Sequence, residues 1–353
     1  MSTFTSASNP AGSTTGTPTD GKNGTMNATT TEATRRPRLS GMTWLVWRQH
    51  RAGFWAILAA AALSLAWMVY QRGQMMDFLD GYGYPGKSFD EVGEHFQQYV
   101  NAFSYVSTGL SGIPILLGVF LGAPLLAGDL ENGTAKLVAA QSMSRTRWLA
   151  TKLGLAGLVV VVSTGALSAV FGWWWNPVKD QNTVLDWSSG SAFDITGPVP
   201  VALTLFTVVG GVAIGVVLRR TLMAMVVTFG FAVAVQLVWG YFRLSLGEVV
   251  TVTSNKGVTA ENAFPDLPKA ALQLDESYLT AGGDLLGWST CRNTNTDQAL
   301  ELCLKKEGVV GWSVDYLPMS QMNGMQWLGA SILFALTAGV VAFLFFWGRK
   351  RLV

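Results

Sequence analysis

Residues 199–242 read VPVALTLFTVVGGVAIGVVLRRTLMAMVVTFGFAVAVQLVWGYF, and their pattern decides the fold. Two apolar runs, Val199–Leu218 and Leu222–Phe242, are separated only by Arg219, Arg220 and Thr221. Each run has the roughly 20 residues with which an α-helix crosses the hydrocarbon core of a bilayer. Neither contains Asp, Glu, Lys, Arg or His. In lipid each backbone N–H and C=O must be satisfied within its own helix, so the stretch reads as a tight transmembrane helical hairpin.

Working outward, four further runs qualify by the same test: Phe54–Tyr70, Phe103–Ala127, Leu153–Trp175 and Trp327–Trp347. The expected fold is an all-α membrane protein with six transmembrane helices. Composition agrees, because only 13% of the 353 residues are charged. A soluble domain carries roughly 25% and needs that charge to cover its surface. The net charge of +2 is too small to suggest a nucleic-acid partner.

Loop charges assign the two sides, since Lys and Arg accumulate on the cytoplasmic face. The N-terminal arm holds Lys22, Arg35, Arg36, Arg38, Arg48 and Arg51 against Asp20 and Glu32. The loop after the second run has Lys136, Arg145, Arg147 and Lys152 against Asp129 and Glu131, and Arg349, Lys350 and Arg351 end the sequence. The alternate loops are acidic: the longest, 243–326, has six basic and ten acidic residues. Both termini are therefore expected in the cytoplasm.

This frame disposes of a tempting motif. GYGYPGKS, residues 81–88, fits the nucleotide-binding pattern of Gly, four residues, Gly-Lys-Ser. It lies in the first outer loop, follows polar QRGQMMDFLD rather than a buried strand, and precedes acidic FDEVGEHF. It reads as a turn built from Gly and Pro.

Residues 1–40 are rich in Ser, Thr, Gly and Asn with few large apolar side chains, and read as a disordered cytoplasmic tail. Residues 41–242 hold the first five spans. In TWLVWRQHRAG, Trp44 and Trp47 alternate with Arg48 and Arg51, which suits an amphipathic helix along the inner interface with its cations on anionic lipid. A plain basic flank is the other reading. Loop 243–326 is long enough for an ordered extracellular cap, and 327–353 holds the last span and a basic tail. The two cysteines, Cys291 and Cys303, lie in that loop, where a disulfide forms readily; free thiols are the alternative.

Chemistry-bearing side chains are scarce. There are two histidines, His50 and His95, on opposite sides of the membrane, and neither a metal-spaced Cys/His cluster nor a Ser/His/Asp set can converge in the spans. Spans without Asp, Glu, His or Arg argue against ion coupling. The dense polar motif is GDLENGTAKLVAAQSMSRTRWLATKLG, 128–154, on the cytoplasmic side. Glu131, Gly133 and Thr134 open a segment with an apolar face at Leu137, and Ser144 suits an N-cap ahead of Arg145 and Arg147. A docking helix for a cytoplasmic partner fits, and so does a basic loop with ordinary capping.

Here the residues resemble the permease subunits of type-two ATP-binding-cassette exporters, in the form common in actinomycetes. TWLVWRQHRAGFWA is similar to the family's N-terminal interface helix. FLGAPLLAGDLENGTAKLVAAQSMSRTRWLATKL resembles the signature around its cytoplasmic coupling helix, and VDYLPMSQMNGMQW resembles its segment before the last span. Asp129 and Gln321 depart from the family's usual residues. The resemblance implies a non-catalytic subunit with no cofactor of its own. Two separate cytoplasmic ATPase subunits would carry ATP and Mg, and a second permease protomer, identical or related, would complete the path. The force would enter through Glu131–Gln141 and Trp44–Arg51. Pro114 and Pro124 can kink the second span, and Gly211 and Gly215 form a small-residue face in the fourth; plain packing accounts for all four equally well. Uncharged spans suit a hydrophobic or amphipathic cargo such as an antibiotic, lipid or peptide. The competing function is a membrane sensor or immunity protein that binds an extracellular peptide through the cap and transports nothing.

Overall fold

The structure, a computed structural model, describes residues 41–87, 89, 95–133, 144–181, 183–292 and 296–351. The tail 1–40 and residues 134–143 of the polar motif, Thr134 and Leu137 among them, lie outside the described residues.

Six helical segments are long and apolar enough to cross a membrane: Thr43–Tyr82, Gln97–Glu131, Thr146–Val178, Val199–Leu218, Thr221–Leu246 and Met319–Trp347. The first is one helix, α1 (Met42–Tyr82). The segment expected as a separate interface helix is therefore the first turns of α1. It contains no proline, and Gly53 stays helical, so nothing interrupts the hydrogen-bond ladder between the basic flank and the span. At the far end α1 continues through the polar stretch 71–80 because Met68, Met75 and Leu79 keep a buried stripe against the bundle. GYGYPGKS supplies its terminus: Gly83 takes the left-handed conformation just past the helix, as C-terminal glycines do, and no strand precedes it.

The second span is interrupted. It runs as α2 (Gln97–Ser111), α3 (Ile113–Leu117), a π-helical turn at Gly118–Gly122, and α4 (Ala123–Glu131). Pro114 and Pro124 each stand in the first two positions of α3 and α4, where a missing N–H costs least. The π turn between them takes up the mismatch in the ladder. The third span is α5 (Arg145–Trp175), followed by a short α6 (Gly190–Phe193). The quoted hairpin is α7 (Val199–Leu218) and α8 (Thr221–Phe242), with Arg219 left-handed at the turn. The last span is α10 (Met322–Arg351).

α7 is the central helix. Its Gly211 and Gly215 face the π turn so closely that an added Cβ would lie 2.7 Å from the Gly118 carbonyl and 2.5 Å from that of Ala123. Across the same contact, a Cβ on Gly122 would lie 2.4 Å from the Val208 carbonyl. Small residues on both helices thus let the backbones touch, the packing that holds helices together where lipid removes the hydrophobic drive. One buried cluster, with Phe103 stacked on Trp174 at 4.1 Å, fills the end of the bundle that carries the cap. Another, built from Val46, Phe54, Leu125, Trp148 and Val212, fills the opposite end. Leu222, Val226, Phe229 and Leu237 of α8 and Phe343 and Phe346 of α10 are exposed, as side chains facing acyl tails would be.

Among the described residues strands occur only in the cap. β1 (Val250–Ser254), β2 (Leu272–Thr280), β3 (Leu285–Gly287) and β4 (Val309–Leu317) form an antiparallel sheet in the order β1-β4-β2-β3. α9 (Asp297–Lys306), N-capped by Thr296, precedes β4, and Cys303 on it is disulfide-bonded to Cys291. Gln321 joins cap to bundle by both accepting from the Glu248 N–H and donating to its carbonyl, at 2.8 and 2.9 Å.

Candidate functional site

The end of the bundle away from the cap gathers the polar groups. Asp129 sits on the last turns of α4 and Lys152 on the second turn of α5, with the 132–144 segment between them. Both are buried, Lys152 at 0% and Asp129 at 8% exposure, and they form an ion pair. An ammonium group has three donors. Those of Lys152 meet the Asp129 carboxylate, the Leu125 carbonyl at 3.1 Å and His50 Nε2 at 3.3 Å. With Lys152 donating, His50 Nε2 is the acceptor and the ring proton sits on Nδ1. Gln49 closes the network by donating to Asp129 Oδ1 at 2.8 Å. A buried ion pair offsets its desolvation only when the remaining lone pairs and protons are satisfied, as they are here.

The network spans three helices. Val46, His50 and Phe54, four residues apart, place one face of α1 on the bundle, while Trp44, Arg48 and Arg51 point outward. The Arg48 guanidinium lies 5.1 Å from the Trp44 ring. Trp47 is half-buried and packs at 5.5 Å from Phe54. A fourth helix joins through Glu131, two residues beyond Asp129. Its Oε2 accepts the Thr221 N–H at 2.8 Å, which satisfies an orphan donor at the start of α8 and puts a negative charge on the positive end of that helix. Gly133 follows in the left-handed conformation. Where the chain is described again, Ser144 Oγ accepts the Arg147 N–H at 3.3 Å and caps α5; Arg147 is exposed, and Arg145 is the first residue of the helix.

Two acids at the end of the second span thus hold the ends of α1, α5 and α8 together. The sequence-based site residues divide accordingly. Glu131, Gly133, Ser144 and Arg147 surround this junction, and Trp44, Trp47, Arg48 and Arg51 lie along the same end of α1. Pro114, Pro124, Gly211 and Gly215 sit at the interruption of the second span, and Cys291 and Cys303 in the cap. Sequence reasoning missed the Asp129–Lys152 pair. The signal was available: Asp129 lies just past one apolar run and Lys152 just before the next, so antiparallel spans bring them to one depth.

Among the described residues no group of three His, Cys, Asp or Glu side chains could hold a metal ion. The junction joins the ends of α1, α4, α5 and α8.

A family model described as ABC-2 membrane transporter related matches residues 58–243, from the first span to the end of the fifth. No curated protein and no solved structure matches the chain.

Proposed function

Because the chain belongs to the ABC-2 membrane transporter related family, as a multi-pass membrane transporter subunit, we propose that it is an exporter permease driven by ATP hydrolysed in separate cytoplasmic subunits. Two such ATPases, carrying ATP and Mg, dock below the end of the bundle opposite the cap, against Glu131–Arg147 and the outward face of α1. A second permease protomer completes the path. The charge bias of the loops supports cytoplasmic termini with the cap outside, and the resemblance to exporter permeases supports a bacterial plasma membrane. The cargo is hydrophobic or amphipathic.

The observation that carries the reading is the junction at the end of the second span. Asp129 and Glu131 connect the end of the second span to the ends of α1, α5 and α8. A movement imposed there by a closing ATPase dimer would tilt several spans together, and the interrupted second span gives them a place to yield. The test is co-expression with a candidate ATP-binding subunit from the same genome. Co-purification, and an ATPase turnover that changes when the permease is present, support the reading. A chain that never associates and instead binds an extracellular peptide through the cap would establish a sensor.

A further inference from the structure

Two open cavities adjoin along the bundle, both with mostly apolar walls; the first, called polar below, also carries a set of polar side chains. The polar one, about 410 Å³, lies toward the cap between α2, α5, α7 and α8. The apolar one, about 720 Å³, lies at mid-bundle between α1, the α2–α3 break and α5. Leu110, Ile113, Thr164 and Leu167 line both.

The polar cavity has a defined hydrogen-bonding character. Thr108, Ser111, Thr164, Ser168 and Thr204 line it, and each hydroxyl donates its proton to a backbone carbonyl. Their oxygens therefore remain as acceptors. Asp194, at the rim, is already engaged: Trp239 Nε1 donates to one oxygen at 2.6 Å and Arg243 Nη1 to the other at 2.7 Å. Gly190 allows that approach, since a Cβ there would stand 2.8 Å from Arg243 Nη1. Among the lining groups Gln236, whose Nε2 donates to the Ser111 carbonyl at 2.8 Å, and Arg243, whose Nε has no partner among the described residues, keep donors to spare. The polar end is thus matched to an anionic group for the guanidinium and hydroxyl donors for the Ser and Thr oxygens.

The apolar cavity is a groove made by small residues. Ala56, Ala60, Ala61 and Ser64 of α1 face Gly109 of α2, with Trp67 at one side. It runs from mid-bundle toward the polar cavity, as an acyl chain runs from the bilayer centre toward its head group.

We infer that the two cavities form one binding site for a single-chain anionic amphipath with a hydroxylated head, the head on Arg243 and the acyl chain between α1 and the α2–α3 break. The polar end is the cap end, so the ligand has the orientation of a lipid in the leaflet on that side. The site deepens the transport reading by giving its amphipathic cargo a chemistry, and it rests on that reading only for what becomes of the bound molecule. A resident lipid and an exported cargo share this chemistry.

The probe is palmitoyl-lysophosphatidylglycerol, whose equilibrium binding is measured on the full chain in detergent, alone and with its ATPase. Arg243→Gln and Ala60→Trp should each weaken binding at least tenfold, and glycerol 3-phosphate, a head without a chain, should compete poorly. Ala60→Trp fills the groove at a distance from the Asp194–Arg243 pair, so it reports on the site even if Arg243→Gln folds badly. Undiminished binding to a folded Ala60→Trp, or equal binding of palmitoyl-lysophosphatidylcholine, would overturn the proposal. Probe carried across vesicles in an ATP-dependent way marks a cargo, and probe bound but not moved marks a resident lipid; both keep the site. Arg243-dependent binding by a chain that never associates with an ATPase keeps the site and removes the transport reading.

Discussion

Lys152 is the residue whose surroundings have the sharpest consequences. Its ammonium is fully buried and its three donors are all engaged. Lys152→Met leaves Asp129 as an uncompensated buried charge, and the expected loss of stability is about 3–5 kcal/mol. Pairing it with Asp129→Leu should restore most of that loss, and a double-mutant cycle from thermal unfolding in detergent checks both expectations. Glu131 is different: its carboxylate is exposed, and Glu131→Gln keeps an acceptor for the Thr221 N–H, so the variant should lower the melting temperature only slightly while weakening the response of the ATPase. At the cap end, burial pushes the Asp194 carboxyl above its ordinary value of 3.8, against the pull of Arg243. The folded state then binds the proton more tightly than the unfolded one. Stability consequently falls as pH rises from that ordinary value to the raised one, and is level above it. Asp194→Asn should remove this slope from a pH series of melting temperatures.

Among the elements, α7 and the interrupted second span set the geometry. Gly122→Ala would drive a Cβ to within 2.4 Å of the Val208 carbonyl, a contact with backbone that no rotamer relieves. The expected cost is about 1–3 kcal/mol, as for other overpacked cores. Gly339→Ala in α10, where a Cβ meets nothing within 4 Å, should be neutral or slightly stabilising and serves as the control. The reach of the sequence is also clearest at this scale. Six apolar runs were legible because lipid demands long uninterrupted ones, and the helical structure has a candidate span over each. The Cys291–Cys303 bond was legible because the cap holds the two cysteines close in sequence. The continuity of α1 was not, because polar residues 71–80 carry no hydropathy signal and are helical for tertiary reasons: Met75 and Leu79 are buried against other elements. The sheet was hidden similarly, since β2 and β4 alternate imperfectly and pair across a long separation. At the junction, the positions of Glu131 and Ser144 could be read from spacing, whereas the Asp129–Lys152–His50–Gln49 network required three helices to be placed.

For the whole molecule, the cap and the bundle respond to different changes. Cys291→Ser with Cys303→Ser reopens a short covalent loop worth roughly 3 kcal/mol in the chain-entropy account. The expected result is faster proteolysis of the cap with the bundle intact, read by limited digestion and mass analysis of the fragments. Gln326 ties bundle to loop on the same side, its Nε2 donating to the Phe193 and Thr196 carbonyls, so Gln326→Leu should loosen that side without touching the junction. The junction lies at the other end, and the account's central claim is that force enters there. The most direct measurement is ATPase turnover and transport in vesicles containing the permease and its co-expressed ATP-binding subunit, compared between the native chain and Glu131→Gln. The account predicts that the variant complex still assembles but that hydrolysis no longer drives transport. Unchanged coupled transport by Glu131→Gln, or a native chain with no effect on hydrolysis, would contradict it.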